Sequence, residues 1–435
     1  MPVRDPAEVA IGKVFRRLLW FLIVLYVLSY MDRINIGFAA LQMNEELGIT
    51  AAMFGIAATC FYIPYALFEV PSNMILARVG ARKWISRIMV TWGLASCATI
   101  FAIGPYSLYF FRALVGLAEA GMLPGVLLYI GFWVPQSHRA RANAIFLTAL
   151  PLAIMIGGPL SGLLLEMDGI WGLSGWRWLL LLEGVPSVLV GILVFFILPD
   201  GPAQARWLTE TEKQALLARI EAEHVRSTGP AEVALWREVL TPTVGLLGLS
   251  YFAIVASINT LGTWLPLIVK DTLGSDASAL QIGFVTAIPP LFAVLALPIV
   301  SARSDRSGER MRTTLICMVV TVAGWMLAGT ADSAALRMLG LTASCVGTFT
   351  SQAVFWAMAS PWLSKRIQPV AIGLISTCGI GASILSPPIV GVLRDATQSF
   401  GAGLWYAASV VAIGIVAAFL AHGRAGRLPG LPAAS

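Results

Sequence analysis

Twelve stretches of this chain, each about 20 residues long and poor in charge, run at residues 18–41, 52–76, 85–104, 107–132, 142–165, 178–198, 242–268, 281–302, 313–331, 338–360, 369–393 and 402–421. Such a stretch is long enough to cross the hydrocarbon of a bilayer as a helix. Inside lipid every backbone N–H and C=O must find a partner within the protein, which leaves helices as the spanning element for runs of this kind. The expected fold is therefore an all-α membrane protein with twelve transmembrane helices. Only 12% of the 435 residues are charged, against roughly a quarter in a soluble domain, so most of the mass belongs in the bilayer.

The basic residues test that count. The alternate segments 1–17, 77–84, 133–141, 199–241, 303–312, 361–368 and 422–435, with Arg87 just inside the third span, hold 23 of the 29 Lys and Arg. The intervening segments hold Arg177, Lys270, Arg337 and Arg394, and the last two, Arg33 and Arg112, fall inside spans. Positive residues stay on the cytoplasmic side, so both termini are expected there, and the span count is even. The net charge of +6 follows topology rather than a nucleic-acid surface. Arg16 and Arg17 before a full-length apolar run read as a retained signal anchor rather than a cleaved one.

Residues 200–241 are the one long polar stretch. They divide the chain into an N-terminal six-helix half, 1–199, and a C-terminal half, 242–435. Within the linker Thr209 and Glu212 have capping-box spacing, and Leu216, Leu217 and Ile220 line one face of the helix that would follow. The halves echo one another. After span two the chain reads Arg78-Val79-Gly80-Ala81-Arg82, and after span eight Arg306-Ser307-Gly308-Glu309-Arg310. The same R-x-G-x-R at equivalent positions points to duplication, a pseudo-two-fold axis along the membrane normal and a central cavity between the halves. Glycine allows a tight turn there, and the arginines can hold helix C-termini or carboxylates as a conformational latch. Topology-setting charge alone is the alternative.

Four charges lie inside the apolar runs: Asp32 and Arg33 in span one, Arg112 and Glu119 in span four. A charge at bilayer depth costs about 2.5–3.5 kcal/mol on insertion scales, and such residues mark functional interiors. Arg112 and Glu119 are seven residues apart, nearly two helical turns, so they share a face of one helix. One reading is a static charge network across helices one and four. The other is that the network titrates: burial disfavours the ionised form of a carboxyl, and a neighbouring arginine restores it. Arginine stays charged and can bind a carboxylate bidentately. Protonating an acid partner would release it, linking proton and anion binding. Glu69 and Glu183 read as helix-end residues. The second half offers neutral candidates, Asn259, Gln352, Ser376 and Thr377, with Trp264 and Trp356 as rings. These suggest coupling in the first half and recognition of substrate shape in the second.

Some chemistry is excluded. The chain has no G-x-x-x-x-G-K-[ST], HExxH or GxSxG, and His138, His224 and His422 lie outside the spans. The five cysteines all fall in spans without CxxC spacing and read as reduced thiols. No enzyme chemistry, metal or other cofactor is expected.

The segments YMDRINIGFA, FYIPYALFEVPSNMILARVGARKW, FRALVGLAEAGMLPGVLLYIGFWVP, LPDGPAQARWLTETEK, SDRSGER and SQAVFWAM resemble a major facilitator superfamily transporter. More narrowly they resemble the anion:cation symporter family, in its tartrate, phthalate, hydroxyphenylacetate and sugar-acid permease branch. The likeness covers essentially the whole chain. It implies a symporter of a small organic anion with protons, in the bacterial inner membrane, working by alternating access; a monomer suffices. An exchanger, an uncoupled facilitator or a non-transporting receptor would share the sequence features. By the resemblance, Asp32 and Glu119 couple protons, Arg33 binds the substrate carboxylate, Arg112 tunes the acids and borders the same site, and Tyr30, Tyr65 and Trp356 line the cavity. The loop aspartate of the superfamily is Ala77 in the first half and Asp305 in the second. Many relatives read N-S-x-G-N in helix eleven, where this chain has Ser376-Thr377-Cys378-Gly379-Ile380. The loss of both amides leans the expected substrate toward a flatter, less hydroxylated carboxylate.

Overall fold

The computed structural model describes residues 5–227, 239–274, 276–363 and 367–425; the ends of the two expected halves and the centre of the linker lie outside the described residues. It is helical, in the order α1 Pro6–Val14, α2 Trp20–Glu46, α3 Ala51–Val79, α4 Ala81–Ala98, α5 Pro105–Glu119, α6 Met122–Trp133, α7 Gln136–Leu147, α8 Ala149–Leu165, α9 Gly175–Ile197, α10 Glu210–Ser227, α11 Pro242–Leu273, α12 Ala279–Ser307, α13 Arg310–Thr330, α14 Ala334–Ala359, α15 Gln368–Thr397 and α16 Gly401–Ala425. Eleven spans are long and apolar enough to cross a bilayer, with α5–α6 and α7–α8 each making one of them. The helix α2, which carries Asp32 and Arg33, packs among them and completes a bundle of twelve.

Local chemistry sets the helix ends. Thr50 accepts from the Met53 N–H to start α3, Thr241 does the same for α11, and Ser278 with Gln281 forms a full capping box on α12. The linker helix α10 opens as expected: Glu212 accepts from the Thr209 N–H at 2.9 Å and Thr209 Oγ1 accepts from the Glu212 N–H at 3.3 Å. Leu216 and Ile220 are buried beneath it, but Leu217 is exposed, so the apolar face is narrower than its spacing suggested. Lys13 and Arg219 tie α10 to α1 through Glu212 and Glu8.

Three apolar clusters reveal how the halves meet. One, containing Ile36, Phe54, Trp176, Trp264, Ile282 and Phe400, draws on both halves and lies toward the face opposite the linker. The other two are confined to one half each, the first with α1 and α10 and the second around Phe355 and Ile375. The polar contacts agree. Asp395 accepts from the Ala51 and Ala52 N–H groups, Lys270 donates to the Leu41 carbonyl, Glu166 accepts from the Leu280 N–H, and Thr59 donates to the Ile384 carbonyl. Small residues permit the approach of α8 and α12: a Cβ on Gly158 would sit 2.7 Å from the Gly283 carbonyl. The polar contacts that join the halves gather at the far face.

The duplicated R-x-G-x-R turns share a backbone feature. Gly80 and Gly308 both adopt positive φ, +97° and +71°. Around the first, Arg82 pairs with Asp200 at 3.6 Å and its N–H donates to the same carboxylate at 2.9 Å. Around the second, Arg310 donates to the Ala357 carbonyl at the end of α14 and lies 3.6 Å from Asp305. Arg78 and Arg306 are exposed. Arg82 thus holds the first residue of the linker, while the contacts of Arg310 stay within the second half.

Candidate functional site: a buried charge constellation in the first half

The fourth span is two helices, not one. The α-helix α5 ends at Glu119, Ala120 turns extended, and Gly121 takes φ +88° before α6 begins. A side chain at Gly121 would strike Ser72 of α3, so the break needs glycine for both its backbone and its neighbour. Its effect is to place Glu119 at the last turn of α5, fully buried, facing α2.

There Glu119 Oε1 accepts from Arg33 at 2.6 Å and from Ser29 Oγ at 2.7 Å. The Arg33 side chain keeps 14% of its surface exposed while Glu119 keeps none. Aromatic rings cover this cation: Tyr65 at 5.0 Å, Phe61 at 5.2 Å and Tyr30 at 5.9 Å. Arg112 lies 4.9 Å from the same Phe61 ring. It is buried, its Nε has no partner, and among the described residues no carboxylate pairs with it. The reading of one static charge network across helices one and four is therefore corrected. One ion pair forms, Arg33 with Glu119, and Arg112 stands as a second guanidinium across a shared ring.

Asp32 is a second correction, because no arginine touches it. It is buried on the other side of α2 and held by neutral donors: Trp92 Nε1 at 2.6 Å, Ser187 Oγ at 2.9 Å, Ser96 Oγ at 3.2 Å and Asn35 Nδ2 at 3.3 Å. Adjacent residues on a helix point about 100° apart, which separates Asp32 from the Arg33 pair. Glu183 is a third correction. It is not at a helix end but nine residues into the 23-residue α9, buried, and it accepts from Ser161 Oγ at 2.9 Å. Glu69 is half-buried in α3.

In the second half the candidate groups are already engaged. Asn259 donates to Ser383 Oγ at 2.9 Å and to the Val255 carbonyl, joining α11 to α15. Thr377 donates back to the Gly373 carbonyl of its own helix, and Ser376 is half-buried beside it. Trp356 packs on Tyr251 with ring centres 4.9 Å apart, and Gln352 lies beside the Tyr251 hydroxyl. Trp264 is not at the charges; it packs between Phe54 and Phe400 in the closed far-face contact. A cavity of about 500 Å³ on that face is lined by Asn44, Trp264, Lys270, Asp271, Arg394 and Asp395 and shares no residue with the Arg33–Glu119 pair.

Ser29, Phe61, Trp92, Ser96 and Ser187 escaped the sequence reading. Phe61 carried a signal, since it sits one turn before Tyr65 in FYIPY. The serines and Trp92 carried none, being ordinary residues of apolar spans.

The family model described as Major Facilitator Superfamily matches residues 22–354 and 247–433. The chain belongs to the Major Facilitator Superfamily. This superfamily chain is 39% identical over 404 residues to a provisionally named tartrate transporter of Agrobacterium vitis, covering 93% of this chain and 89% of that one. It is 37% identical to a protein of Acinetobacter baumannii named as a quinolone resistance transporter, over 93% of this chain and 92% of that one. A bacterial homologue of the human lysosomal transporter Spinster, solved in an inward-facing and occupied conformation, superposes with a TM-score of 0.78 at 15% identity, covering 95% and 97% of the two chains. The superfamily fold, with two six-helix halves, is thus shared across little sequence identity. The protein is a transporter of this superfamily and not an enzyme.

Proposed function

We propose that this transporter is a symporter that carries a small organic carboxylate anion inward together with protons, by alternating access, across the bacterial inner membrane. Residues 1–199 and 242–435 are the two rocking halves, 200–241 the tether, and the face bearing the tether and the R-x-G-x-R turns is cytoplasmic, as its arginines and lysines suggest. The contacts that close the far face then correspond to an inward-facing state.

The observation that carries the proposal is the Arg33–Glu119 pair. A carboxylate substrate competes with Glu119 for the same guanidinium. While Glu119 is ionised it holds Arg33 at 2.6 Å; a proton on Glu119 removes that competitor and leaves Arg33 free for a substrate carboxylate. Arg112, without a carboxylate of its own, adds a second positive charge near the site and opposes loss of charge balance when the substrate leaves. Carrying a proton with each anion lessens the cost of moving negative charge against the potential, about 2.3 kcal/mol per charge per 100 mV.

Tartrate and quinolone appear in the names of two relatives, and the first of these supports an organic anion as the class of substrate. The internal bonds of Asn259 and Thr377 leave the second half few free donors for hydroxyls. This favours a flatter substrate, with Trp356, Tyr30 and Tyr65 as its apolar walls and Gln352 and Ser376 as polar contacts. The test is uptake by proteoliposomes under an inward proton gradient, offered tartrate, sugar acids, phthalate and hydroxyphenylacetate in turn. Accumulation of one of them, abolished by a protonophore, is expected. Uptake indifferent to the gradient would replace symport with exchange or facilitation.

A further inference from the structure

The charged cavity at the far face takes no part in the Arg33–Glu119 site. Basic residues are scarce on that face: its segments hold Arg177, Lys270, Arg337 and Arg394, in keeping with positive charge being held to the other side. Arg177 is bound by Glu46. The other three, from three different helices, meet at one place. Lys270 of α11 and Arg394 of α15 line the cavity of about 500 Å³, and Arg337 of α14 donates to Asp271 on its wall at 2.9 Å.

The acids of the wall do not cancel these bases. Asp395 accepts from the Ala51 and Ala52 N–H groups, so its charge sits against the positive end of α3. Asp271 is held on Oδ2 by Arg337, and Arg394 lies 4.0 Å from its Oδ1, beyond hydrogen-bonding distance. Three bases stand against two acids, one of them already offset by a helix end. The donors are also underused. Lys270 donates to the Leu41 carbonyl at 2.9 Å and, among the described residues, makes no ion pair, whereas an ammonium carries three donors. The Arg394 guanidinium packs 5.1 Å from the centre of the Phe400 ring, and among the described residues it makes no hydrogen bond.

We infer that this cavity is a second anion site, separate from Arg33–Glu119, which takes the carboxylate of a small organic anion on Lys270 and Arg394. The planar fork of Arg394 suits the two oxygens of a carboxylate, and Lys270 adds a point charge. Trp264 and Phe400 supply an aromatic wall for the rest of the molecule, and the volume is that of a small-molecule site. Both cations belong to the second half, so the pair outlasts any parting of the halves at this face. An anion held there waits at the mouth of the route to Arg33. That this anion is also the cargo rests on the function proposed above; the binding does not.

Thiol labelling of the purified full chain tests the site. A cysteine is placed at Gln398, exposed on the cavity rim, in a background lacking the native cysteines. Relative to free cysteine, a sulfonate-bearing methanethiosulfonate should be favoured over one bearing a quaternary ammonium by roughly threefold or more. Phthalate or tartrate should slow labelling by a neutral maleimide, saturably. Lys270→Gln/Arg394→Gln should abolish both the preference and the protection. Glutamine at 270 keeps a donor for the Leu41 carbonyl, so this variant is expected to fold; should it not, Arg394→Gln alone must lower both readings. No preference for the anionic reagent, no protection by either anion, or protection that survives the loss of the cations overturns the site. Uptake tests the role: the double variant should raise KM several-fold and keep the maximal rate, and an unchanged KM overturns it. If wild type takes up neither anion, the proposed function fails for them, and the labelling, which needs no gradient and no transport, still decides the site.

Discussion

The guanidinium of Arg33 donates to the carboxylate of Glu119 at 2.6 Å across two different helices, and only the arginine is open to solvent. The geometry makes Glu119 a built-in competitor for any anion that reaches Arg33. It also makes the pair a structural element, because each charge is buried against the other.

Removing one member alone should therefore be costly. Arg33→Ala leaves Glu119 ionised and unpaired, which for a buried pair costs about 3–5 kcal/mol. The double variant Arg33→Ala/Glu119→Gln should recover most of that stability while remaining unable to take up substrate. Thermal unfolding in detergent, run beside uptake, checks both halves of the expectation. Equal melting of the single and double variants would mean that the pair is not what stabilises the site.

The far-face closure should depend on Asp395. Its carboxylate, at the end of α15, accepts from the first two N–H groups of α3 in the other half, at 3.0 and 2.8 Å. A carboxylate at a helix N-terminus contributes roughly 1–2 kcal/mol, and that much free energy is a factor of about 5–30 in an equilibrium. Asp395→Ala should shift the population toward a state open at the far face by about that factor. Labelling of a cysteine placed at Ala52 with a membrane-impermeant maleimide should accelerate accordingly, in a background lacking the native cysteines. No change in rate would remove Asp395 from the closure.

The linker carries a pH dependence whose sign is fixed. Lys13 donates to both oxygens of Glu212, and together with the Thr209 N–H this holds the Glu212 carboxyl below the usual glutamate range. A group whose value is lowered in the folded state stabilises above its unfolded value, and that contribution is lost as pH falls through the folded one. Docking of α10 on α1 should thus be flat near neutrality and weaken below about pH 4, the ordinary glutamate value being near 4.3. The ion pair is partly exposed, so Lys13→Ala should cost no more than about 1 kcal/mol. It should also move the loosening of α10 to higher pH, read as hydrogen exchange of residues 210–222.

Much of the fold could be read from residues alone. Twelve apolar runs, a basic bias in alternate loops and the repeated R-x-G-x-R announce the bundle, and the Thr209–Glu212 spacing forms the helix start it implied. The four intramembrane charges were visible because charge in an apolar run is conspicuous. Their pairing was not, because it depends on the break at Gly121, which looks in the sequence like one more small residue of a membrane helix. Glu183 was undervalued for a related reason: distance from a helix end depends on where the helix begins, and α9 starts at Gly175, three residues ahead of the apolar run. The neutral donors around Asp32 come from two helices besides its own turn and leave no pattern along the chain.

The most direct test of the central claim is gradient-driven uptake by wild type and Glu119→Gln in the same proteoliposome preparation. Glutamine keeps the shape of the acid and cannot give up a proton. Wild type should accumulate an organic carboxylate under an inward proton gradient, while Glu119→Gln should exchange it or let it run downhill without accumulation. Equal accumulation by both would contradict the account and remove Glu119 from the coupling.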